Sequence, residues 1–330
     1  MNVLVTGVTG FTGGHLARHL RAAGRDVRGL VRPESMDRAR SPALDLQGID
    51  LIPGDLTDAL SLVAACREVE VVYHIAATYR QAGQPNSAYR AINVDGTTHL
   101  LAAAAAAGVR RFVHCSTGGV HGHIEHPPAN EDAPLRPGDI YQETKLEAEQ
   151  LARRFGETHA LEVTIGRPIG IYGPGDTRFL KMFRGIARGR FPMLGSGEVF
   201  YHLTYVRDLA EGFRLCGECD VAAGRTYVLA GPEYTTLDEL ARRIAREVGA
   251  RPPRVHWPVW PFWLAGALCE AVCVPLRLEP PLYRRRVDFY TKSRAFDTTR
   301  ARTDLGFRPA VGLDEGLRLT AGWYRERGLL

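Results

Sequence analysis

A glycine-rich turn between the first apolar segment and the first helical pattern constrains the fold of this chain strongly. Val3–Val5 is predicted to be a buried strand, and a helical pattern begins at Gly13. Glycines at such a junction let the backbone approach a pyrophosphate closely, and the N-terminus of the helix favours its negative charge. The sequence therefore predicts a dinucleotide-binding strand–turn–helix that includes Gly7, Gly10, Phe11, Thr12 and Gly13.

Short apolar runs alternate with helical patterns through the first half of the chain. Uninterrupted apolar strands that alternate with helices are typical of a parallel sheet covered on both faces. We therefore predict a doubly wound α/β fold, in which residues 1–172 form a dinucleotide-binding domain and residues 199–230 return to it. Glycines and prolines interrupt the later pattern, so residues 173–198 and 231–330 are expected to form mainly a smaller, discontinuous substrate-binding portion.

The composition excludes several other classes of protein. Of the 330 residues, 45% are hydrophobic and 24% are charged, which is typical of a globular chain. The net charge is +5, and the basic residues are scattered along the chain apart from the run Arg284–Arg286, so we expect no nucleic-acid partner. No basic leader precedes the first strand, which favours the cytoplasm and reduced cysteines. Neither the cysteine pairs 216/219 and 269/273 nor the histidines near residue 121 have convincing ligand partners, so no metal is expected.

Lysine is rare in this chain, which makes each lysine worth examining. Of the 42 basic residues, three are Lys (Lys145, Lys181 and Lys292) and the other 39 are Arg. An ammonium is a compact three-donor group that a planar guanidinium cannot replace in every geometry. Lys145 follows Tyr141 by four residues, which places both on one face of a helix. Because a nearby ammonium favours ionisation of a phenol, this pair is predicted to be a general acid–base site.

Residues at two strand ends bear on the choice of dinucleotide. An NAD-preferring site usually has Asp or Glu at the end of the second strand, but this chain has Arg32 there, followed by Ser35. An arginine offers a planar fork to a 2′-phosphate, so NADP(H) is favoured and NAD(H) is the alternative. Asp55, at the end of the next strand, is suitably placed to bind the adenine amine.

Several motifs occur in the order found in a known superfamily. They include TGVTGFTG at residues 6–13, CSTGGVHG at 115–122, YQETK at 141–145 and RPIGIYGPGD at 167–176. Over nearly its whole length the chain resembles the extended short-chain dehydrogenase/reductase superfamily, the NAD-dependent epimerase/dehydratase group. The resemblance implies a Rossmann sheet with helices on both faces, an enzyme with a nicotinamide cofactor and a small-molecule substrate, and a homodimer.

The resemblance also implies roles for individual residues. Tyr141 is expected to be the general acid/base, Lys145 its electrostatic partner and a cofactor contact, and Thr117 the hydroxyl that orients the substrate oxygen. Further cofactor contacts are implied at Leu56, Ala76, Ala77, Tyr141, Pro168 and Ile171. Substrate contacts are expected at Thr78, Ser116, His121, Gly170, Tyr201 and His202, with Ser116 also an alternative to Thr117.

Departures from the family pattern reduce the number of reactions that the resemblance leaves open. Family 4,6-dehydratases carry an Asp-Glu pair where this chain has Gly118 and Gly119, so dehydration is not expected. The usual partners of a substrate diphosphate are replaced by Gly170 and Tyr201. We therefore expect oxidation or reduction of a ring secondary alcohol or ketone that is steroid-, terpenoid- or polyketide-like. A sugar or nucleotide-sugar epimerase with retained cofactor is the alternative, and a non-catalytic dinucleotide sensor is a third hypothesis.

The segment 257–276 is apolar and aromatic, but three early prolines and Glu270 interrupt it. It is too broken to span a bilayer. Three interpretations are open: a buried helix of the smaller portion, which we favour, a lid over an apolar substrate, and a helix lying at a membrane surface. The last ranks lowest because the segment has no basic polar face.

Overall fold

A seven-stranded parallel sheet forms the centre of the protein. The computed structural model describes residues 1–79, 84–273 and 284–330, together with Leu276 and Leu278. The strand order is β11-β6-β5-β4-β1-β2-β3, and each neighbouring pair runs parallel. These strands are β1 (Asn2–Thr6), β2 (Asp26–Val31), β3 (Asp50–Pro53), β4 (Val71–His74), β5 (Arg111–Cys115), β6 (Glu162–Pro168) and β11 (Thr226–Leu229).

Thirteen α-helices lie in the part of the chain that the structure describes. They are α1 (Phe11–Ala22), α2 (Met36–Ala39), α3 (Ala59–Ala65), α4 (Asn86–Arg90), α5 (Gly96–Ala106), α6 (Ile140–Thr158), α7 (Leu180–Ala187), α8 (Val206–Glu218), α9 (Leu237–Val248), α10 (Val259–Cys273), α11 (Arg284–Thr291), α12 (Thr299–Asp304) and α13 (Leu313–Glu326). None of them is long and apolar enough to span a bilayer.

Two separate apolar clusters cover the two faces of the sheet. One joins the sheet to α1 and α8 through side chains such as Leu20 and Phe213. The other joins it to α3, α5 and α6 through side chains such as Leu62, Leu101 and Ala152. Alternate side chains of a strand point to opposite faces, so a sheet sandwiched in this way needs apolar residues at successive positions. The predicted doubly wound Rossmann fold is therefore confirmed.

The strand order reverses beside β1. Strands β2 and β3 lie on one side of β1, whereas β4, β5 and β6 lie on the other. In open parallel sheets, ligands bind beyond the carboxyl ends of the strands at such a switch point. The residues that follow β1, β4 and β5 are thereby brought to one edge of the sheet, although they are far apart in sequence.

A third apolar cluster lies outside the main sheet. It joins α7, α9 and α13 through buried side chains that include Phe183, Leu240 and Leu317. Short two-stranded ladders accompany it: β7 (Ile171–Tyr172) with β10 (Thr204–Tyr205), β9 (Phe200–His202) with β12 (Tyr234–Thr236), and β8 (Met193–Leu194) with β13 (His256–Trp257). β11 pairs with β6 at the edge of the main sheet. The exact division into two portions stays a prediction.

The apolar segment 257–276 differs from the interpretation favoured above. Its described residues contain α10, in which Gly266 is the one buried residue, while Trp260 is 68% exposed and Leu268 60% exposed. The interpretation of this segment as a buried helix is therefore wrong, because little of the described chain packs over the outer surface of α10. Residues 274 and 275 lie outside the described residues. So do the side chains of Arg285 and Arg286, whereas the guanidinium of Arg284 lies over the ring of Trp263.

Candidate active site

The glycine-rich turn is shaped so that side chains would obstruct it. Gly10 is the N-cap of α1, and its amide donates to the carbonyl of Gly7 at 2.9 Å. Gly7 has φ +74°, and a Cβ there would stand 3.0 Å from the backbone of Ala76. A Cβ on Gly13 would lie only 2.2 Å from the Gly7 oxygen. The backbone of this turn is thus bare at the start of a helix, which fits the pyrophosphate of a dinucleotide.

A groove of about 390 Å³ continues from this turn along the ends of β2, β3 and β4. It brings together these predicted cofactor residues: Gly7, Arg32, Asp55, Leu56, Ala76 and Ala77. Thr78, which we expected to contact the substrate, also lines this groove, and its amide donates to Asn93 Oδ1 at 2.8 Å. Phe11, Thr12 and Gly13 follow as the first turn of α1. The groove has the position and the lining of a site for the adenosine half of the dinucleotide.

Two predicted contacts in this groove already have polar neighbours. Asp55 Oδ1 accepts bonds from the amide and the hydroxyl of Thr57, both at 2.7 Å. Arg32 forms an ion pair with Glu34 at 3.0 Å, and both side chains are 62% exposed. Such an exposed pair contributes only about 0–1 kcal/mol to stability, so it holds the guanidinium weakly.

Tyr141 and Lys145 occupy the first turns of α6. Asp139 caps this helix by accepting from the Gln142 amide at 2.9 Å, which fixes where the helix begins. The ring of Tyr141 packs edge-on against that of Tyr79, with centroids 4.9 Å apart. Lys145 is 1% exposed, and this burial lowers its pKa. Tyr141 thus stands nearer the surface, with a buried ammonium one helical turn behind it.

His114 is a neighbour of Lys145 that sequence reasoning missed. Its Nε2 lies 3.4 Å from the Lys145 Nζ, and its Nδ1 has no hydrogen-bond partner among the described residues. Burial, and then the charge of Lys145, hold the pKa of His114 well below its usual value. A neutral imidazole can therefore accept a hydrogen bond from the ammonium. His74 is the register partner of His114 on β4, so the two strands carry the two rings side by side.

Thr117 lies just after β5 and caps a short 3₁₀ turn, Gly118–His121. Its Oγ1 accepts a hydrogen bond from the Gly119 amide at 3.1 Å. Accepting through a lone pair leaves the hydroxyl proton able to donate to another oxygen. Gly119 and Tyr141 both line the cavity described below, whereas Thr117 itself is not among its lining residues.

Ser116 and His121 lie in a buried ionic network instead of in the wall of that cavity. Glu149 receives two bonds from Arg167, at 2.5 and 3.0 Å, and one from the Ser116 hydroxyl at 2.8 Å. His121 Nε2 lies 3.0 Å from Arg167 Nη1, and burial and then Arg167 lower the pKa of His121 to about 4. The expected direct substrate contacts of Ser116 and His121 are corrected accordingly, because buried charges engage both side chains.

The cavity beside Tyr141 has a volume of about 510 Å³. Three expected substrate residues, Gly170, Tyr201 and His202, line it. His202 is held at both nitrogens: Nε2 donates to the Gly231 carbonyl at 2.8 Å and Nδ1 accepts from the Phe296 amide at 3.3 Å. Ile171, expected at the cofactor, lines this cavity too, whereas Pro168 is buried at the end of β6 and lines neither cavity. The remaining wall is mostly aromatic and aliphatic.

Comparison with known proteins agrees with this geometry. The model of the NAD dependent epimerase/dehydratase family matches residues 3–230. The chain belongs to this family. Membership confirms the predicted superfamily and the prediction of an enzyme, and its oxidoreductases and epimerases use a nicotinamide cofactor.

Three proteins show the range of chemistry among the similar chains. A 2-alkyl-3-oxoalkanoate reductase of Stenotrophomonas maltophilia is 32% identical over 96% of this chain and 98% of that protein. A 3β-hydroxysteroid dehydrogenase/Δ5→4-isomerase of Mycobacterium tuberculosis is 32% identical over 98% of this chain and 90% of that protein. The structure of MoeE5 in complex with UDP-glucuronic acid and NAD has a TM-score of 0.77 and 27% identity, covering 99% of this chain and 100% of that one.

Proposed function

We propose that this enzyme oxidises a secondary alcohol or reduces the corresponding ketone, with Thr117, Tyr141 and Lys145 as its catalytic residues. The observation that carries the proposal is the position of Tyr141 in the wall of a large, mainly apolar cavity, with the buried Lys145 directly behind it. A bound nicotinamide supplies or accepts the hydride. The protein's own task is then to hold the substrate oxygen and to move one proton.

The three side chains divide that task. For reduction, Tyr141 gives its proton to the ketone oxygen while Thr117 donates a hydrogen bond to the same oxygen. For oxidation, Tyr141 takes the proton from the alcohol. The ammonium of Lys145 favours the phenolate that Tyr141 becomes after giving up its proton, and its low exposure strengthens that attraction. His114 Nε2 lies 3.4 Å from the Lys145 Nζ and can accept a hydrogen bond from the ammonium.

We further propose a substrate with an apolar ring or chain. Phe179, Phe191 and Phe289 line the cavity together with aliphatic side chains, and such walls bury apolar surface. A reductase of 2-alkyl-3-oxoalkanoates and a steroid dehydrogenase among the relatives act on molecules of this kind, by their names. Steroid-, terpenoid- and polyketide-like alcohols all fall within this class.

Dehydration and epimerisation are supported less well. Gly118 and Gly119 offer no acid or base beside Thr117, and a Cβ on Gly118 would meet Ile169 Cδ1 at 1.9 Å. An acidic side chain at that position would therefore require Ile169 to move. Epimerisation of a nucleotide sugar remains the second candidate, because MoeE5 was solved with a UDP-sugar and NAD.

Net turnover of the dinucleotide separates these candidates. Purified enzyme with candidate alcohols is expected to form free reduced cofactor, whereas an epimerase interconverts a UDP-sugar with no net change. Tyr141→Phe should abolish turnover while leaving dinucleotide affinity unchanged, and Thr117→Val should reduce it by about 10²- to 10⁴-fold. Full activity of Tyr141→Phe would refute the assignment of the proton donor.

For the cofactor, we propose a preference for NADP(H) over NAD(H). Arg32 and Ser35 line the groove where the adenosine ribose would lie, and the exposed ion pair with Glu34 is weak enough to be exchanged for a 2′-phosphate. Arg32→Ala is expected to weaken NADPH binding about tenfold or more and to leave NADH binding unchanged. Equal or tighter binding of NADH by the unaltered enzyme would refute the preference.

A further inference from the structure

The wall of the substrate cavity carries an excess of positive charge. Arg178, Lys181 and Arg294 line it, and its described lining includes no Asp or Glu. A mainly apolar cavity gains nothing from cations unless they are paired or meet a ligand of opposite charge. The partners of each cation therefore indicate which of them is available to a substrate.

Arg178 is already engaged by the protein. Its Nε donates to Asp176 at 2.7 Å and its Nη2 to the Ile171 carbonyl at 2.7 Å. Its guanidinium also lies over the rings of Phe11 and Tyr79, 5.4 and 5.8 Å from their centroids. These contacts hold Arg178 in the wall of the cavity beside Tyr141.

Arg294 is different, because its backbone is fixed while its side chain is not paired. Its amide donates to the Phe200 carbonyl at 2.8 Å, and its carbonyl accepts from the His202 amide at 3.0 Å. Its Nε is buried and has no hydrogen-bond partner among the residues that the structure describes. No ion pair of its guanidinium occurs within that part of the chain either. A guanidinium in a cavity wall that has no partner among the described residues can donate from its terminal nitrogens to an acceptor that enters the cavity.

We propose that Arg294 binds an anionic group of the substrate, a carboxylate, and that Lys181 at the exposed side of the cavity adds a second positive charge. This inference rests on the proposed function, since it places the anion on the molecule that Tyr141 protonates. The planar fork of a guanidinium matches the two oxygens of a carboxylate. A phosphate would match it as well, but the aromatic and aliphatic remainder of the wall favours an apolar acid over a nucleoside diphosphate.

The rarity of lysine supports a specific placement of Lys181. In a chain that has 39 Arg and three Lys, one Lys lies behind Tyr141 and a second lines the substrate cavity. Lys181 is exposed, so it contributes through long-range attraction at the mouth of the cavity more than through a fixed hydrogen bond. Arg294 is therefore expected to carry most of the selectivity for an anion.

Ligand binding can test this without any knowledge of the natural substrate. The probes are decanoate, decan-1-ol and UDP, each titrated calorimetrically into the enzyme saturated with oxidised dinucleotide. Decanoate is expected to bind at least about tenfold more tightly than decan-1-ol, as a charged hydrogen bond implies. Arg294→Gln should abolish that preference and leave decan-1-ol binding unchanged. Lys181→Gln should reduce the preference for decanoate about two- to threefold. Arg188 is an exposed residue outside the cavity lining, so the control variant Arg188→Gln should leave the preference unchanged.

Each outcome decides the question. Equal binding of decanoate and decan-1-ol, no measurable decanoate binding, or a preference that survives in Arg294→Gln would each overturn the proposal. If UDP binds more tightly than decanoate and Arg294→Gln removes that difference, the group that Arg294 binds is a diphosphate and the proposed carboxylate is wrong. Because Arg294 lacks a partner, Arg294→Gln should not lower the thermal unfolding midpoint, which separates lost binding from lost folding. Loss of turnover in Tyr141→Phe tests the proposed function independently.

Discussion

Replacing Glu149 by Gln would test how strongly the ionic network beneath the site stabilises the fold. Glu149 and Arg167 are 1% and 2% exposed at their side chains, and two bonds of 2.5 and 3.0 Å join them. Glutamine removes the negative charge but leaves the guanidinium of Arg167 buried. The Ser116 hydroxyl, 2.8 Å from Glu149, also loses a charged acceptor. The substitution therefore leaves an uncompensated charge beneath the end of β5.

The expected loss is large because solvent cannot replace the missing partner. Removing one member of a buried ion pair costs about 3–5 kcal/mol of unfolding free energy. For Glu149→Gln we expect a loss of about 3 kcal/mol, because Gln keeps one acceptor oxygen. Glu147 is a matched control on the same helix. It pairs with Arg90 at 2.5 Å, but the two side chains are 40% and 50% exposed. Glu147→Gln should therefore cost only about 0–1 kcal/mol.

Urea denaturation followed by circular dichroism measures both losses. Combining Glu149→Gln with Arg167→Met should cost less than the sum of the single substitutions, because the double variant no longer buries an unpaired charge. A loss below about 1 kcal/mol for Glu149→Gln, or one equal to that of Glu147→Gln, would refute the reasoning.

The same network has a pH dependence with a definite sign. Burial would raise the pKa of Glu149, but bonds from Arg167 and Ser116 more than offset it and hold the pKa below its usual value. Its contribution to stability is therefore fully present above the ordinary pKa of glutamate, about 4.3, and is lost as the pH falls through the lower folded value. The stability difference between the unaltered enzyme and Glu149→Gln should accordingly shrink at acidic pH. A difference that stays constant through that range would contradict this assignment.

Three further outcomes are expected. Gly13→Ala should weaken dinucleotide binding at least about tenfold, because its Cβ would lie 2.2 Å from the Gly7 oxygen. Calorimetry should find the dinucleotide affinity of the control variant Gly322→Ala unchanged. Gly322→Ala should itself raise the unfolding free energy by about 0.5–1 kcal/mol, because glycine loses more conformational entropy than alanine inside a helix and a Cβ there would meet no atom within 4 Å. An unchanged or lower value in urea would contradict this. His114→Phe should lower the pKa of Lys145 further, because phenylalanine offers the ammonium no acceptor. The decline of kcat/KM at alkaline pH should therefore begin at a lower pH, and His114→Asn, which keeps an acceptor, should restore its original position. A pH profile that does not move in His114→Phe would exclude the contact.

Much of the fold and part of the candidate site could be predicted from sequence because their signals are local. The glycine turn spans eight residues, and the Tyr141–Lys145 spacing fits within two helical turns. Apolar strands alternating with helices were enough to predict the sheet. In each case the residues that interact are neighbours in the chain, so their spacing alone fixes their relative positions.

Other predictions depended on contacts between distant segments and failed or stayed incomplete. Ser116 is expected at the substrate, but its hydroxyl instead donates a hydrogen bond to Glu149 of α6. No local pattern links His114 to Lys145, because the two become neighbours only when α6 packs against the sheet. The apolar segment containing α10 was expected to be buried, and hydrophobic composition alone could not show that its side chains face outward.

The sequence by itself determined a dinucleotide-binding α/β fold and the four-residue spacing of Tyr141 and Lys145 on one helix, because turn chemistry and helical periodicity act over a few residues. The tertiary structure decided which charges are paired and which face the cavity beside Tyr141. Lys181 and Arg294 are 113 residues apart and come to the same cavity. Only the folded arrangement of α7, β9 and the segment that follows α11 places them there, since no local pattern encodes a contact over that separation.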